Sequence, residues 1–266
     1  MLLLYSNEYN RIFGFAIKNE ILSKYYFMKY KSLLLGFSLL FFIQNSVAQE
    51  QEGVTKQELV SLFRAWRSFE IPPLQNGVPD YSEEAFDLRW DTFLGLKTTL
   101  DEMQKDKWTE SQQVDWHLLW AEMNGYIFNY KVLKPWQRDP AYYKSIWTYK
   151  SDVPAHEGPT NHAITELWQY AFPLDKESSV RLMESLKLIP LLQEQAKRNL
   201  TGNARDLWVT GIRDIKEQIK DLESIRSKTG IAKDDELSKS INNAIVSTQQ
   251  FVAWLTSQIP NKNGPS

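Results

Sequence analysis

The chain has 266 residues, of which 42% are hydrophobic and 24% are charged, and its formal net charge is −2. These values are typical of a folded globular protein, and the near-neutral charge argues against a nucleic-acid surface or a polybasic membrane patch. The absence of cysteine excludes disulfides, thiolate zinc sites, iron–sulfur clusters and cysteine nucleophiles. The fold must therefore be stabilised by its core alone.

Residues 28–48 have the three parts of a secretory signal. A basic start at Met28–Lys31 precedes the apolar run 32–43, which is too short to span a membrane comfortably. Small residues follow at the positions that a signal peptidase requires, and the last of them is Ala48. We expect cleavage after Ala48, which leaves Gln49 as the first mature residue of a periplasmic or extracellular protein with no stable membrane span.

Residues 1–27 precede this signal, although a signal normally starts at its own Met. We interpret them as a mis-called upstream extension, with translation beginning at Met28. The alternative interpretation is a single uncleaved N-terminal anchor. A lipoprotein anchor is ruled out, because no Cys follows the small residues.

The mature chain is predicted to be all-α, an irregular bundle of about seven helices over residues 55–260 with mostly antiparallel neighbours. Residues 49–54 are a polar leader. Thr55 and Glu58 have the spacing of a capping box at the start of the first helix. The first helix is expected to end at the adjacent prolines 72 and 73, since Pro cannot donate a backbone hydrogen bond.

The second helix is predicted to begin near Ser82, and the third is predicted to be capped by Thr109. An apolar stripe on the third helix is expected to face the core, and it comprises Val114, Leu118, Ala121, Gly125 and Phe128. Gly125 is interpreted as a point of close helix packing, because Gly in a helix interior otherwise costs about 1 kcal/mol against Ala. Pro135 is expected to stop this helix.

Residues 135–163 are less regular in sequence. A short helix is predicted through Tyr142, Tyr143, Ile146 and Trp147, followed by a loop over 151–159. A further helix is predicted through Ile164, Leu167 and Trp168, and it ends before Pro173.

Three longer helices are predicted in the remainder of the chain. Asp175 caps the first of them, which is interrupted at Pro190. Thr201 or Asn203 can cap the second, and Gly230 ends it. The last helix ends near Pro260, and residues 261–266 look like a linker-like, truncated tail.

The three histidines are His117, His156 and His162, and no His-Glu-x-x-His zinc motif is present. His156 and His162 are six residues apart with Gly-Pro between them, which favours a loop over a metal site. His117 is predicted to lie in or near the core. Adjacent carboxylates do not converge on a helix, and such pairs occur at Glu83–Glu84, Asp101–Glu102 and Asp234–Asp235. No catalytic, cofactor-binding or metal-binding residue is therefore assigned.

Aromatic residues make up 13% of the chain. Most fall at helical spacing and are interpreted as core residues that lock helix to helix. The alternative is a cleft for a peptide or glycan, formed by Trp136, Tyr142, Tyr143 and Trp147. In that case the chain would be a self-sufficient exported binding module.

Three stretches, taken in order, resemble the amino-terminal half of the bacterial domain of unknown function 885 family. The stretches are Thr109–Asp115 with the Trp-rich helix and Arg138–Tyr143 after it, Ile189–Leu192 with Ala196–Leu200, and the closing helix Ala244–Leu255. The similarity covers roughly residues 55–262, and it is the order of the motifs that carries it.

Members of this family are often exported, and they resemble helical zinc metallopeptidases whose His-Glu motif lies in the carboxy-terminal half. The resemblance implies that this chain is the amino-terminal helical domain of such a hydrolase, without the zinc-binding half and inactive alone. Zinc is expected only in a complete family member. The implied substrate class is peptides, and the implied partner is the missing half or a neighbouring chain.

Overall fold

The computed structural model describes residues 57–149, 161–229 and 235–265. Several sequence expectations lie outside these ranges: the extension 1–27, the signal 28–48, the leader 49–54, Thr55, His156 and Gly230. Within the described residues the fold is all-α, as predicted, with six long helices and one of a single turn. None of these helices has both the length and the apolarity needed to cross a membrane.

The first three helices are α1 (57–70), α2 (Glu83–Asp101) and α3 (Glu110–Phe128). The predicted start of α2 near Ser82 and the predicted Thr109 cap are confirmed: Ser82 Oγ accepts a hydrogen bond from the N–H of Ala85, and Thr109 forms a full capping box. Between α1 and α2, strands β1 (Leu74–Gln75) and β2 (Val78–Pro79) pair through an Asn-Gly turn that has positive φ at both residues. The three helices share one core cluster, formed by Leu59, Leu62, Trp66, Phe69, Phe93, Leu100, Trp116, Leu119 and Met123.

The predicted buried stripe of α3 is wrong. The buried residues of this helix are Gln112, Trp116, Leu119 and Met123, and the five predicted core residues lie on the opposite, exposed side. A Cβ added at Gly125 would meet nothing within 4 Å, so Gly125 does not mark close helix packing. The helix is apolar on both sides, so the spacing of apolar residues could not identify the inner one.

The helical run that begins at Glu110 ends at Leu133, just before Pro135 as expected, and Pro135 then begins a new helix. After Phe128 the chain forms a π-helical turn over Asn129–Leu133, and Lys134 adopts the left-handed conformation with a φ of 42°. Pro135 then occupies the first turn of α4 (Pro135–Arg138), where a missing N–H costs nothing.

The two short helices predicted between residues 142 and 168 are wrong. A 3₁₀ turn covers Pro140–Tyr143, after which β3 (Ile146–Trp147) pairs in parallel with β4 (Thr165–Glu166), and a second 3₁₀ turn covers Leu167–Gln169. Buried side chains supply the backbone hydrogen bonds that helices would have made. Asn161 Nδ2 donates to two carbonyls in this segment, and Gln218 Oε1 accepts from the N–H groups of residues 145 and 146.

The last three helices are α5 (Lys176–Asn199), α6 (Arg205–Thr229) and α7 (Glu236–Gln258). The Asp175 cap is confirmed by a hydrogen bond of 2.7 Å from the Ser178 N–H to Asp175 Oδ1. The predicted interruption at Pro190 is wrong, because α5 continues through it with Ile189 and Leu192 fully buried on the core side.

The segment 261–265 is bound to the fold, although it was expected to be linker-like. Asn203, proposed as a cap of α6, instead accepts hydrogen bonds of 2.7 and 3.1 Å from the backbone N–H groups of residues 263 and 264. Lys262 Nζ donates to the carbonyl of Gly202 at 2.7 Å and lies 4.0 Å from the centre of the Trp208 ring. These contacts hold the segment against the start of α6.

Candidate functional site

The two described histidines do not form a metal site. His117 is exposed rather than near the core. Its ring packs edge-on against the Trp116 ring, with the two ring centres 4.9 Å apart. His162 lies beside Tyr81: its Nδ1 is 3.2 Å from Tyr81 Oη, and its backbone N–H donates to the same oxygen at 2.5 Å. Over 57–149, 161–229 and 235–265, no three His, Asp or Glu side chains are grouped so that they could hold a metal ion.

The aromatic residues proposed to line a cleft are mostly core residues. Trp136, Tyr142 and Tyr143 are buried, and Trp147 is half-buried under Lys144. Tyr143 Oη donates to the carbonyl of Trp136 at 2.8 Å, and burial raises the pKa of the Tyr143 hydroxyl well above its ordinary value. The three buried rings pack the irregular segment onto the bundle, so they are not available to stack on a ligand.

The carboxylate pairs serve as helix caps and surface ion pairs. Glu83 and Glu84 lie in the first turn of α2, where acidic side chains interact favourably with the helix dipole. Glu83 also forms an ion pair of 3.2 Å with Lys134. Asp101 pairs with Lys97 at 2.6 Å, and Asp235 caps α7. None of the described pairs converges on a shared proton or ligand.

A buried polar network joins the last three helices. Gln193 of α5 and Gln218 of α6 both donate to Thr248 Oγ1 of α7, at 2.9 and 3.4 Å. Gln218 Oε1 also accepts a hydrogen bond of 2.6 Å from the Ser145 N–H. All three network side chains are almost fully buried and have hydrogen-bond partners, so the network holds the helices together rather than presenting groups to a ligand.

The most unusual surface is the outer face of α3, which we call the α3 stripe. It consists of Val114, Leu118, Ala121, Gly125, Phe128 and, in the π-helical turn, Val132. Val114 and Val132 are each 56% exposed, and Leu118 and Phe128 are each 50% exposed. An exposed apolar side chain is ordinary by itself, but six contiguous uncharged positions along one helix are the pattern of an interaction surface.

Polar contacts on the inner side fix which face of α3 points outwards. Trp116 Nε1 donates to the Leu100 carbonyl at 2.9 Å. Glu122 accepts hydrogen bonds from Trp66 Nε1 at 3.0 Å and from Arg67 at 2.8 Å. Rotating α3 to bury the stripe would break these bonds and expose Trp116, so the stripe is held outwards by the rest of the fold.

The described chain ends close to one end of this stripe. The guanidinium of Arg138 donates both to the Leu133 carbonyl and to the Pro265 carbonyl, each at 3.4 Å. Leu133 directly follows Val132, the last residue of the stripe. Pro265 and Leu133 are therefore bridged by a single guanidinium group, that of Arg138.

Sequence reasoning selected five of the six residues of this surface but assigned them to the core. The available signal was the presence of apolar residues on both sides of α3, which predicts a helix with two partners. Comparisons with protein-family models, with curated proteins and with solved structures find no match to this chain.

Proposed function

We propose that this chain is the amino-terminal helical domain of an exported metallopeptidase-like hydrolase, lacking the zinc-binding half and inactive alone. The observation that supports this proposal best is the α3 stripe. A helix with apolar residues on two opposite sides is expected to pack against a partner on each side, and the outer side of α3 has no cover among the described residues. A following domain would supply that cover.

The position of Pro265 also supports the proposal. A segment that continued from Pro265 would start near Leu133, the residue that directly follows the stripe. By the family resemblance, the zinc ligands and the catalytic base would lie in the carboxy-terminal half, and we derive no chemical step through them.

The alternative of a self-sufficient binding module was based on four aromatic residues that would line a cleft. Three of its four aromatic candidates are buried in the core. We therefore prefer the domain interpretation, in which the implied substrate class is peptides and the role of this chain is to provide one wall of the cleft.

The DNA downstream of this gene gives the most direct test. We expect a reading frame that encodes a His-Glu-x-x-His helix, whose product co-purifies with this chain when the two are expressed together. An unrelated gene on the opposite strand would argue strongly against the proposal.

The proposal also predicts that the purified chain hydrolyses no peptide, with or without added zinc, because it contributes no metal ligand. The measurement is cleavage of a peptide library followed by mass spectrometry. Zinc-dependent cleavage that is lost in the double variant His156→Ala and His162→Ala would contradict this assignment.

We propose further that residues 28–48 direct export and are removed. Mass spectrometry of the protein recovered from the periplasm or medium should give Gln49 as the first residue, and the precursor should begin at Met28. A tryptic peptide from residues 1–27 would overturn the assignment of the start.

A further inference from the structure

We propose that, in this chain, the α3 stripe pairs with the α3 stripe of a second copy in an antiparallel, two-fold symmetric dimer. The proposal goes beyond the function given above, because it concerns the chain without a covering domain. A covering domain and a second copy would compete for the same face.

The spacing of the stripe is that of a helix-pairing seam. Its residues follow one another at intervals of four, three, four, three and four, from Val114 to Val132. This alternation keeps the side chains on one line along two helices that cross at about 20°, as in antiparallel helix pairs. The stripe contains no charged residue, so pairing buries no unpaired charge.

The order of side-chain sizes along the stripe fits an antiparallel copy of itself. Val114 would meet Val132 of the second copy, and Leu118 would meet Phe128. Ala121 would meet Gly125, which brings the two smallest side chains together at the centre. Such reciprocal contacts, in which each residue and its partner exchange places, are what a two-fold interface requires.

The centre of the stripe is open enough for close approach. A Cβ placed at Gly125 would have no neighbour within 4 Å, so another backbone can come close there without displacing a side chain of this chain. Small residues at a crossing point let two helices pack at the short end of the usual 8–10 Å separation.

Charge also favours the antiparallel arrangement. Glu110 is the acidic residue in the first turn of α3, and Lys131 is the basic residue in the π-helical turn at its other end. Antiparallel pairing places each acidic end beside the basic end of the second copy, and it opposes the two helix dipoles favourably. Parallel pairing would bring like ends together.

The area of the stripe predicts a weak dimer. Val114 to Val132 spans about 28 Å at 1.5 Å per residue, and a helix presents a strip roughly 10 Å wide, so pairing buries on the order of 600 Å² in total. Stable interfaces bury about 1,200–2,000 Å². We therefore expect a reversible dimer with a dissociation constant of about 100 μM.

Sedimentation equilibrium of the full gene product, purified as the cell processes it, tests the dimer. Wild type should show a concentration-dependent monomer–dimer equilibrium between about 10 and 500 μM, around the expected dissociation constant. Gly125→Glu, which places a charge at the closest approach, should weaken dimerisation at least tenfold.

Gly95→Glu is the matched control, since Gly95 is also an exposed helical glycine with nothing within 4 Å of an added Cβ, but lies in α2. It should dimerise as wild type does. A wild type that stays monomeric at 500 μM, or equal dimerisation by both variants, overturns the proposal.

Disulfide crosslinking tests the direction of pairing, and the absence of cysteine from the chain removes any background. Under oxidation, a mixture of the Val114→Cys and Val132→Cys proteins should give a crosslinked heterodimer, because the antiparallel pair brings these positions together. Neither protein alone should crosslink efficiently. Efficient self-crosslinking of Val114→Cys would overturn the antiparallel arrangement.

These outcomes are separable from those that test the function. A monomeric chain would remove the dimer but leave the downstream gene to decide the domain proposal. An unrelated downstream gene would remove the domain proposal but leave the sedimentation result intact.

Discussion

Asp139 supports the local fold at an electrostatic cost. Its Oδ1 accepts a hydrogen bond of 2.8 Å from the Ala141 N–H and caps the 3₁₀ turn Pro140–Tyr143. Burial raises the pKa of Asp139 from 3.8 to about 6, the backbone hydrogen bond offsets part of the rise, and the nearby charge of Asp214 adds to it. The charged form of this cap is therefore less stable in the folded protein than in water.

The pKa of Asp139 predicts a pH dependence of stability. A carboxyl group whose folded pKa exceeds its unfolded value destabilises the fold as pH rises, with no cost below pH 4 and the full cost above pH 6. Asp139→Asn keeps the Oδ1 acceptor without the charge, so it should raise the free energy of unfolding by about 2 kcal/mol at pH 7 and by little at pH 4. Urea unfolding at both pH values measures this difference.

Asp91→Asn on the exposed face of α2 is the control, and it should change the free energy of unfolding by less than about 0.5 kcal/mol at either pH. An Asp139→Asn variant that is less stable than wild type at pH 7 would contradict the assigned cost.

At the scale of helices, short-range signals predicted where elements begin, and long-range contacts decided the rest. The helix start near Ser82 and the caps Thr109 and Asp175 were predicted from a few neighbouring residues, since the hydrogen bond that each cap makes is local. The sequence predicted a helix through residues 145 and 146, because the Gln218 side chain that accepts their backbone N–H groups lies about 70 positions further along the chain.

The sequence predicted which residues form the α3 stripe, but not whether the stripe faces the core or the solvent. The spacing of Val114, Leu118 and Phe128 identifies a helix face, but it does not say whether the protein or a partner covers that face. The choice rests on the polar partners of Trp116 and Glu122, which come from α2 and α1. No sequence window that contains α3 alone includes them.

Two helical glycines should respond in opposite ways to the same change. In Gly211→Ala the new Cβ would lie 2.8 Å from the Ala141 nitrogen and 2.9 Å from Pro140 Cβ, which forces α6 away from the 3₁₀ turn and should cost about 2 kcal/mol. In Gly125→Ala the new Cβ is unopposed, so the higher helix propensity of Ala should stabilise the fold by about 0.5–1 kcal/mol.

Chemical denaturation at a protein concentration of a few micromolar, below the range of dimer formation, measures both glycine variants. A stabilised Gly211→Ala variant would show that α6 does not pack against the turn as described.

At the scale of the whole molecule, two kinds of contact unite the bundle. Apolar clusters fill the spaces between helices, whereas the amides of Gln193 and Gln218 converge on one hydroxyl, that of Thr248. The apolar contacts tolerate small displacements, but the hydrogen bonds are satisfied in one register only. The network therefore specifies how α5, α6 and α7 align.

Thr248→Val tests this role. It keeps the shape of the side chain but leaves two buried amide groups without their shared acceptor, which should cost about 2–3 kcal/mol of unfolding free energy. Thr256→Val is a matched control on the same helix. Both hydroxyls donate to the carbonyl four residues earlier at 2.7 Å, but Thr256 is exposed.

Thermal unfolding followed by circular dichroism measures both threonine variants. Equal effects of the two substitutions would show that the local bond, and not the network, carries the stability.

The binding of residues 262–265 to the start of α6 has a consequence for anything attached beyond it. The position of Pro265 is fixed by Asn203 and Arg138, and not by the end of α7. A fluorophore placed just after Pro265 should tumble with the whole protein and show high anisotropy. In the Asn203→Ala variant the segment would be held less tightly, so the dye would move faster than the protein. Its anisotropy should therefore fall while the helices stay folded.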